Sequence, residues 1–266
     1  TLGTEIGDVQ TLSRYIWRCH RQSAHESYPT PQLEGILFTQ DYDLRSCTLV
    51  YAMLGKMLYE VNELDAWQTV PFIIGKGGTG KSTLLKIVRH LYPPRFVANI
   101  SSNGEIKFGL SAVYGKLFWL CPEVKKNFCM DQGDFQSLVS GEEMSIAKKN
   151  ETAKTVKWVS PGILCGNEVF AFEDTQESLF RRIIALYFEC MVSKTSINTR
   201  LFEDMTTGDA PEFGNLLRKC NMAYRMMVEQ IGERCVWDLR LVQEGVVPQT
   251  LHTFRTKFRA EIDSVV

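Results

Sequence analysis

The chain has 266 residues, enough to bury a large core in one domain with extensions. Its 30 basic and 31 acidic side chains leave a formal charge of −1, which excludes a bulk pull toward nucleic acid and confines any such binding to a local patch. No apolar run approaches the roughly 18 to 20 residues that cross a bilayer, so a soluble protein without a membrane partner is expected.

Thr1-Leu2-Gly3 has no signal-peptide layout, and the chain reads as a piece of something longer. Eight cysteines are scattered without a Cys-x-x-Cys, which predicts a reducing, intracellular compartment. Cys19-His20 with His25 lacks a second ligand pair at metal-binding spacing.

Residues 1–66 are predicted to be mostly helical. Leu49, Met53, Leu54, Met57, Leu58 and Val61 recur at three- and four-residue steps, as on one face of a helix. Residues 67–195 read as an α/β core. Short apolar runs at 71–74, 96–100, 116–121, 162–165 and 183–188 alternate with polar helical segments, the pattern of buried strands in a sheet. Residues 196–266 return to helical spacing, as in Phe213, Leu216, Leu217, Cys220, Ala223 and Met227.

The first run leads into Gly75-Lys76-Gly77-Gly78-Thr79-Gly80-Lys81-Ser82-Thr83. The spacing Gly75-x4-Gly80-Lys81-Ser82 between a strand and a helix is that of a nucleotide phosphate-binding loop. Small residues let backbone N–H groups curl around phosphates, and the following helix aims its positive end at them. Lys81 would neutralise the β and γ phosphates, and the Ser82 hydroxyl would ligate Mg²⁺. Lys76-Gly77-Gly78 also fits the deviant loop of partition-type ATPases, but no Asp-x-Asp strand end follows at the distance such an enzyme needs.

The run Phe118-Trp119-Leu120-Cys121 is followed by Pro122-Glu123, which places an acid at a strand end, able to hold the metal shell and polarise water. Alternation on both sides of Lys149-Asn150 predicts a β-hairpin with a basic tip. Its lysines Lys148 and Lys149, with Lys154 as a further candidate, can pair with DNA phosphates without reading bases. Asn167 ends the next strand with an amide able to bond both a γ-phosphate and an attacking water. Arg181-Arg182 then offers a guanidinium that could cross a subunit boundary to a neighbour's γ-phosphate.

This ordered set resembles the superfamily 3 helicases of DNA viruses. Leu54-Gly55-Lys56-Met57-Leu58-Tyr59, Asp65-Ala66-Trp67-Gln68, Leu138-Val139-Ser140-Gly141-Glu142 and Ala153-Lys154-Thr155-Val156-Lys157-Trp158 look more closely like the poxvirus-type primase-helicases of nucleocytoplasmic large DNA viruses. The resemblance implies an AAA+-type P-loop NTPase core with a five-stranded parallel sheet, flanked by N- and C-terminal helical regions. It further implies a homo-oligomeric ring, usually a hexamer, that uses ATP and Mg²⁺ to move on single-stranded DNA and open forked duplex. A primase domain would stand in the same full-length chain, and the host cytoplasm or nucleus would be its compartment.

Carried over, Gly75, Gly77, Gly78, Thr79, Gly80, Lys81, Ser82 and Thr83 cradle ATP, and Ser82 and Glu123 hold Mg²⁺. Lys81, Glu123, Asn167, Arg181 and Arg182 form the catalytic set, Arg181 preferred over Arg182 as the arginine finger. One departure stands out. Many relatives carry two adjacent acids where this chain has Pro122-Glu123, so either Glu123 serves alone or Asp131 or Asp134 assists. A rival expectation from another class is an oligomeric P-loop ATPase that assembles or remodels other molecules without unwinding DNA.

Overall fold

The computed structural model describes residues 28–100, 110, 111, 113–126, 128, 130–146, 154–170, 177–193, 195, 197–207 and 212–264. Two helices open it, α1 (Pro31–Thr39) and α2 (Leu44–Lys56). Proline suits the first turn of α1, where its missing N–H has no intrahelical partner to lose. Asp43 caps α2 by accepting from the Ser46 N–H at 2.7 Å.

Five strands, β1 (Val70–Ile74), β2 (Val97–Asn99), β3 (Phe118–Val124), β6 (Gly162–Gly166) and β7 (Ile183–Tyr187), form one sheet in the order β2-β3-β6-β1-β7. Every pair in it is parallel. The five apolar runs of the sequence are these five strands, because a parallel sheet covered on both faces leaves no position for an alternating polar residue. Between them lie α3 (Lys81–Arg89), α4 (Gln132–Ser140), the antiparallel pair β4 (Glu143–Ile146) and β5 (Lys154–Lys157), and the short α5 (Glu177–Phe180). After β7 come α6 (Leu201–Thr207), α7 (Phe213–Ile231), the one-turn α8 (Arg240–Gln243) and α9 (Gln249–Asp263).

Successive strand residues alternate between two cores, as the two-residue period of a strand requires. Ile73, Leu120, Ile163 and Leu186 face α2, α3 and α7. Phe72, Trp119, Leu164 and Ala185 face α4, α5, α9 and the inner side of the hairpin, which supplies Met144 and Ile146. The helical segments before and after the sheet therefore share one apolar layer.

At the centre of that layer, Gly55 of α2 sits against α7, where a Cβ would come within 2.1 Å of the Cys220 carbonyl oxygen. The next residue, Lys56, donates to both oxygens of Asp65 at 2.7 and 2.5 Å. Asp65 also accepts from the Trp67 N–H at 2.8 Å and from the Tyr224 hydroxyl of α7, so its lone pairs are used inside the core. Burial pulls the Lys56 ammonium below its ordinary value, and Asp65 opposes that shift.

One boundary differs from the expectation that an apolar strand ends at Cys121. Strand β3 continues through Pro122 and Glu123 to Val124, and its pairing shifts from Cys121↔Leu164 to Val124↔Gly166. The proline is accommodated because that irregularity takes its backbone, which has no N–H to donate, out of the ladder.

A glycine-to-alanine change inside a helix normally stabilises by about 1 kcal/mol. At Gly55 the backbone contact outweighs that gain, and Gly55→Ala is expected to lower stability by about 1 to 3 kcal/mol in urea unfolding. An unchanged or raised midpoint would show that the two helices are not held at this distance.

Candidate functional site

All five strands of the main sheet run the same way, so the segments that leave their C-terminal ends emerge together. The glycine-rich loop joins β1 to α3, and three backbone bonds set its level. Val70 N–H donates to Arg182 O at 2.8 Å, Gly75 N–H to Gly166 O at 3.2 Å, and Phe188 N–H to Ile74 O at 2.7 Å. Only glycine fits at 75, since a Cβ there would lie 1.8 Å from the Phe188 carbonyl oxygen. Gly78 and Gly80 take left-handed φ values of 80° and 92°, which curls the loop back over the N-terminus of α3.

Lys81, the first residue of α3, is 6% exposed. Its Nζ donates to the Lys76 carbonyl at 2.5 Å and lies 3.5 Å from the Thr79 hydroxyl. Burial lowers its affinity for a proton, and no carboxylate pairs with it among the described residues. The neighbouring Cys165 thiol is pushed up to about 11 by burial and stays protonated at neutral pH, so it supplies no compensating charge. A buried cation without a counter-ion at a helix N-terminus is an anion site in waiting.

The loop faces a cavity of about 880 Å³, in the range of small-molecule pockets. Residues 77–83, Glu123 and Asn167 all line it, so the structure brings together three features that lie far apart in sequence. Glu123 is the one carboxylate among the described lining residues. Asp131 is occupied elsewhere, capping α4 by accepting from the Gly133 and Asp134 N–H groups at 2.8 and 3.3 Å, and neither it nor Asp134 reaches the cavity.

The two arginines sit at the opposite end of the sheet, ahead of β7, and neither lines the cavity of its own chain. They diverge in environment. Arg182 is 4% exposed, donates to the Ser140 hydroxyl at 3.2 Å and the Ser178 carbonyl at 2.9 Å, and is held below its ordinary value by burial and by Arg181. Arg181 keeps an exposed side chain, while its carbonyl accepts from the Trp237 indole at 2.8 Å. On the hairpin, Lys154 pairs with Ile146 and is exposed. Lys148 and Lys149 lie outside the described residues, as do Cys19, His20 and His25.

Two further walls of the cavity escaped the sequence reading: α1, and the segment after β7 that crosses the loop, where Val192 N–H donates to Gly78 O at 3.0 Å. Buried Gln40 joins them. Its Nε2 donates to Thr79 O at 3.0 Å and Cys190 O at 2.8 Å, and its Oε1 accepts from the Cys190 N–H at 2.9 Å. At the other end of α1, Glu212 accepts from the N–H groups of Gln32 and Leu33, both at 3.0 Å. No spacing rule links residues 40 and 79 or 32 and 212; a lone glutamine after a predicted helix carries no local signal.

A protein-family profile described as a family of unknown function (DUF5906) matches residues 73–182, a stretch that carries the loop, Glu123, Asn167 and both arginines. Two solved structures share the fold. The A form apo structure of the NrS-1 C-terminal region has a TM-score of 0.56 and 17% identity, over 85% of this chain and 52% of that one. The apo structure of the NrS-1 C-terminal region (305–718) has a TM-score of 0.55 and 17% identity, over 88% of this chain and 63% of that one. The chain thus spans about half to three-fifths of the structures it resembles. No curated protein matches it.

Replacing Gln40 with Leu leaves the Thr79 and Cys190 carbonyls and the Cys190 N–H without their partner. Gln40→Leu is expected to weaken triphosphate binding by about tenfold, corresponding to one or two lost buried hydrogen bonds. Calorimetric titration with inorganic triphosphate checks this; an unchanged affinity would mean the loop holds its shape without the clamp.

Proposed function

We propose that the chain is the ATP-driven helicase domain of a DNA replication protein, working as a ring on single-stranded DNA. The observation that carries the reading is the cavity shared by a buried Lys81 that no carboxylate neutralises among the described residues, by the Glu123 carboxylate and by the Asn167 amide. That combination suits phosphoryl transfer, in which positioning and charge stabilisation contribute most of the catalysis.

In this reading residues 75–83 wrap the phosphates and Lys81 neutralises the charge that builds on them. Ser82 and Glu123 would hold Mg²⁺, which would add Lewis-acid stabilisation to the phosphates. Glu123 polarises the attacking water, and Asn167 orients it against the γ-phosphate. Arg181, exposed at the far end of the sheet, suits a neighbour's nucleotide in a head-to-tail ring, probing across the boundary as the transition state forms. Arg182 then serves to anchor that corner from within. The hairpin supports the DNA part of the proposal: Met144 and Ile146 root it in the core while Lys154 and Lys157 face outward, near Lys148 and Lys149 in sequence.

Glu123→Gln is expected to leave ATP affinity within about threefold of the parent and to lower turnover by at least about a hundredfold. Phosphate release with and without single-stranded DNA measures this, and retained turnover would remove Glu123 from the chemistry. Mixing Arg181→Ala subunits with Lys81→Ala subunits should restore part of the lost hydrolysis, because an interface between one of each retains a whole site. No recovery at any ratio would make Arg181 a structural charge.

A further inference from the structure

Of the buried side-chain oxygen and nitrogen atoms among the described residues, three lack a hydrogen-bond partner: Gln32 Oε1, Thr69 Oγ1 and His252 Nε2. Only Gln32 lines the cavity that holds the glycine-rich loop. A buried acceptor left open costs stability unless something in the cavity donates to it. We infer that Gln32 reads the base of the bound nucleotide, its Oε1 accepting from the 6-amino group of adenine.

This inference rests on the nucleotide reading of the loop and adds the base to it. The geometry around Gln32 supplies a slot. Gly35, one turn further along α1, also lines the cavity, and a Cβ built there would meet nothing within 4 Å, so open space lies against the helix backbone. Ile36, Ile197 and Leu201 line the same cavity with apolar surface suited to the faces of a flat ring. Ile36 Cγ2 lies 3.6 Å from where a Cβ on Gly80 would stand, so the slot adjoins the phosphate loop.

The count of donors favours adenine over guanine. Adenine brings one donor group on its ring edge, and the cavity wall offers one buried, unused acceptor of this kind. Guanine brings donors at two ring-edge positions, and an apolar slot would leave the surplus unpaired. Of the other two amides lining the cavity, Asn167 is exposed just past the end of β6, and Asn198 is already engaged: its Nδ2 donates to Asp204 at 3.1 Å and its Oδ1 accepts from the Arg200 N–H at 2.9 Å.

The helix that carries the acceptor is held at both ends. Glu212, the N-cap of α7, accepts from the Gln32 backbone N–H, Lys219 of α7 donates to Thr30 and Glu34, and Gln40 ties the far end of α1 to Thr79. The spacing between the Gln32 backbone and the phosphate cradle is therefore set by the fold before any ligand arrives, which favours a specificity contact from that helix.

The test is calorimetric titration of the protein with ATP, with purine riboside triphosphate, which lacks only the 6-amino group, and with inorganic triphosphate. The parent should bind ATP at least about tenfold more tightly than purine riboside triphosphate. Gln32→Leu should bring ATP down to the level of purine riboside triphosphate and leave inorganic triphosphate unchanged, which also shows that the variant is folded. Equal affinity of the parent for the two nucleotides, or a preference that survives Gln32→Leu, overturns the inference while triphosphate binding by the loop stands. If inorganic triphosphate itself fails to bind, or binds Lys81→Ala as well as the parent, the reading of the loop falls, and the base inference with it.

Discussion

Strand β1 lies hydrogen-bonded between β6 and β7, and everything at the site takes its position from that placement. Parallel pairing on both sides sets the end of β1 level with Gly166 on one flank and Phe188 on the other. The loop must therefore turn where β6 delivers Asn167 and where the segment after β7 can cross it. Bulky residues are barred from the turn itself, since the Phe188 backbone occupies the space a side chain at 75 would need. The sheet thus acts as a jig: the common direction of its strands gathers the loop, Glu123 near the end of β3, and Asn167 at one edge.

A second constraint holds the wall of the cavity. Helix α1 is fixed at its N-terminus by Glu212 and at its C-terminus by Gln40, so one end belongs to the C-terminal helices and the other to the loop. The layer behind it is locked by the Gly55–Cys220 contact and by Asp65, which joins Lys56, the Trp67 backbone and Tyr224. A buried ion pair is weak support for stability unless its remaining polar atoms are satisfied, and here those of Asp65 are. The helical regions on either side of the core are in this way part of the site's scaffold.

Much of this was legible in the sequence because the physics was local. Strands buried on both faces show as unbroken apolar runs, a glycine-rich turn needs glycine, and Met144 and Ile146 alternate with polar residues as an anchored strand must. The rest was non-local. Pro122 looks like a strand end, yet an irregular pairing with β6 carries β3 past it and leaves Glu123 within the strand. Arg181 and Arg182 are equivalent in composition; only the packing of Ser140 and Ser178 around one of them separates the buried from the exposed. Gln40 and Gln32 sit on a short helix with a weak apolar pattern, and their importance comes from partners some 40 and 180 residues away.

In the proposed function, this cavity turns triphosphate hydrolysis into movement along DNA. The most direct measurement is strand separation of a forked DNA duplex by the protein with ATP and Mg²⁺, followed beside phosphate release in the same reaction. ATP-dependent separation that tracks hydrolysis is expected, and both should stop in Lys81→Ala. Hydrolysis that proceeds at an unchanged rate with or without DNA, and separates no strands, would contradict it.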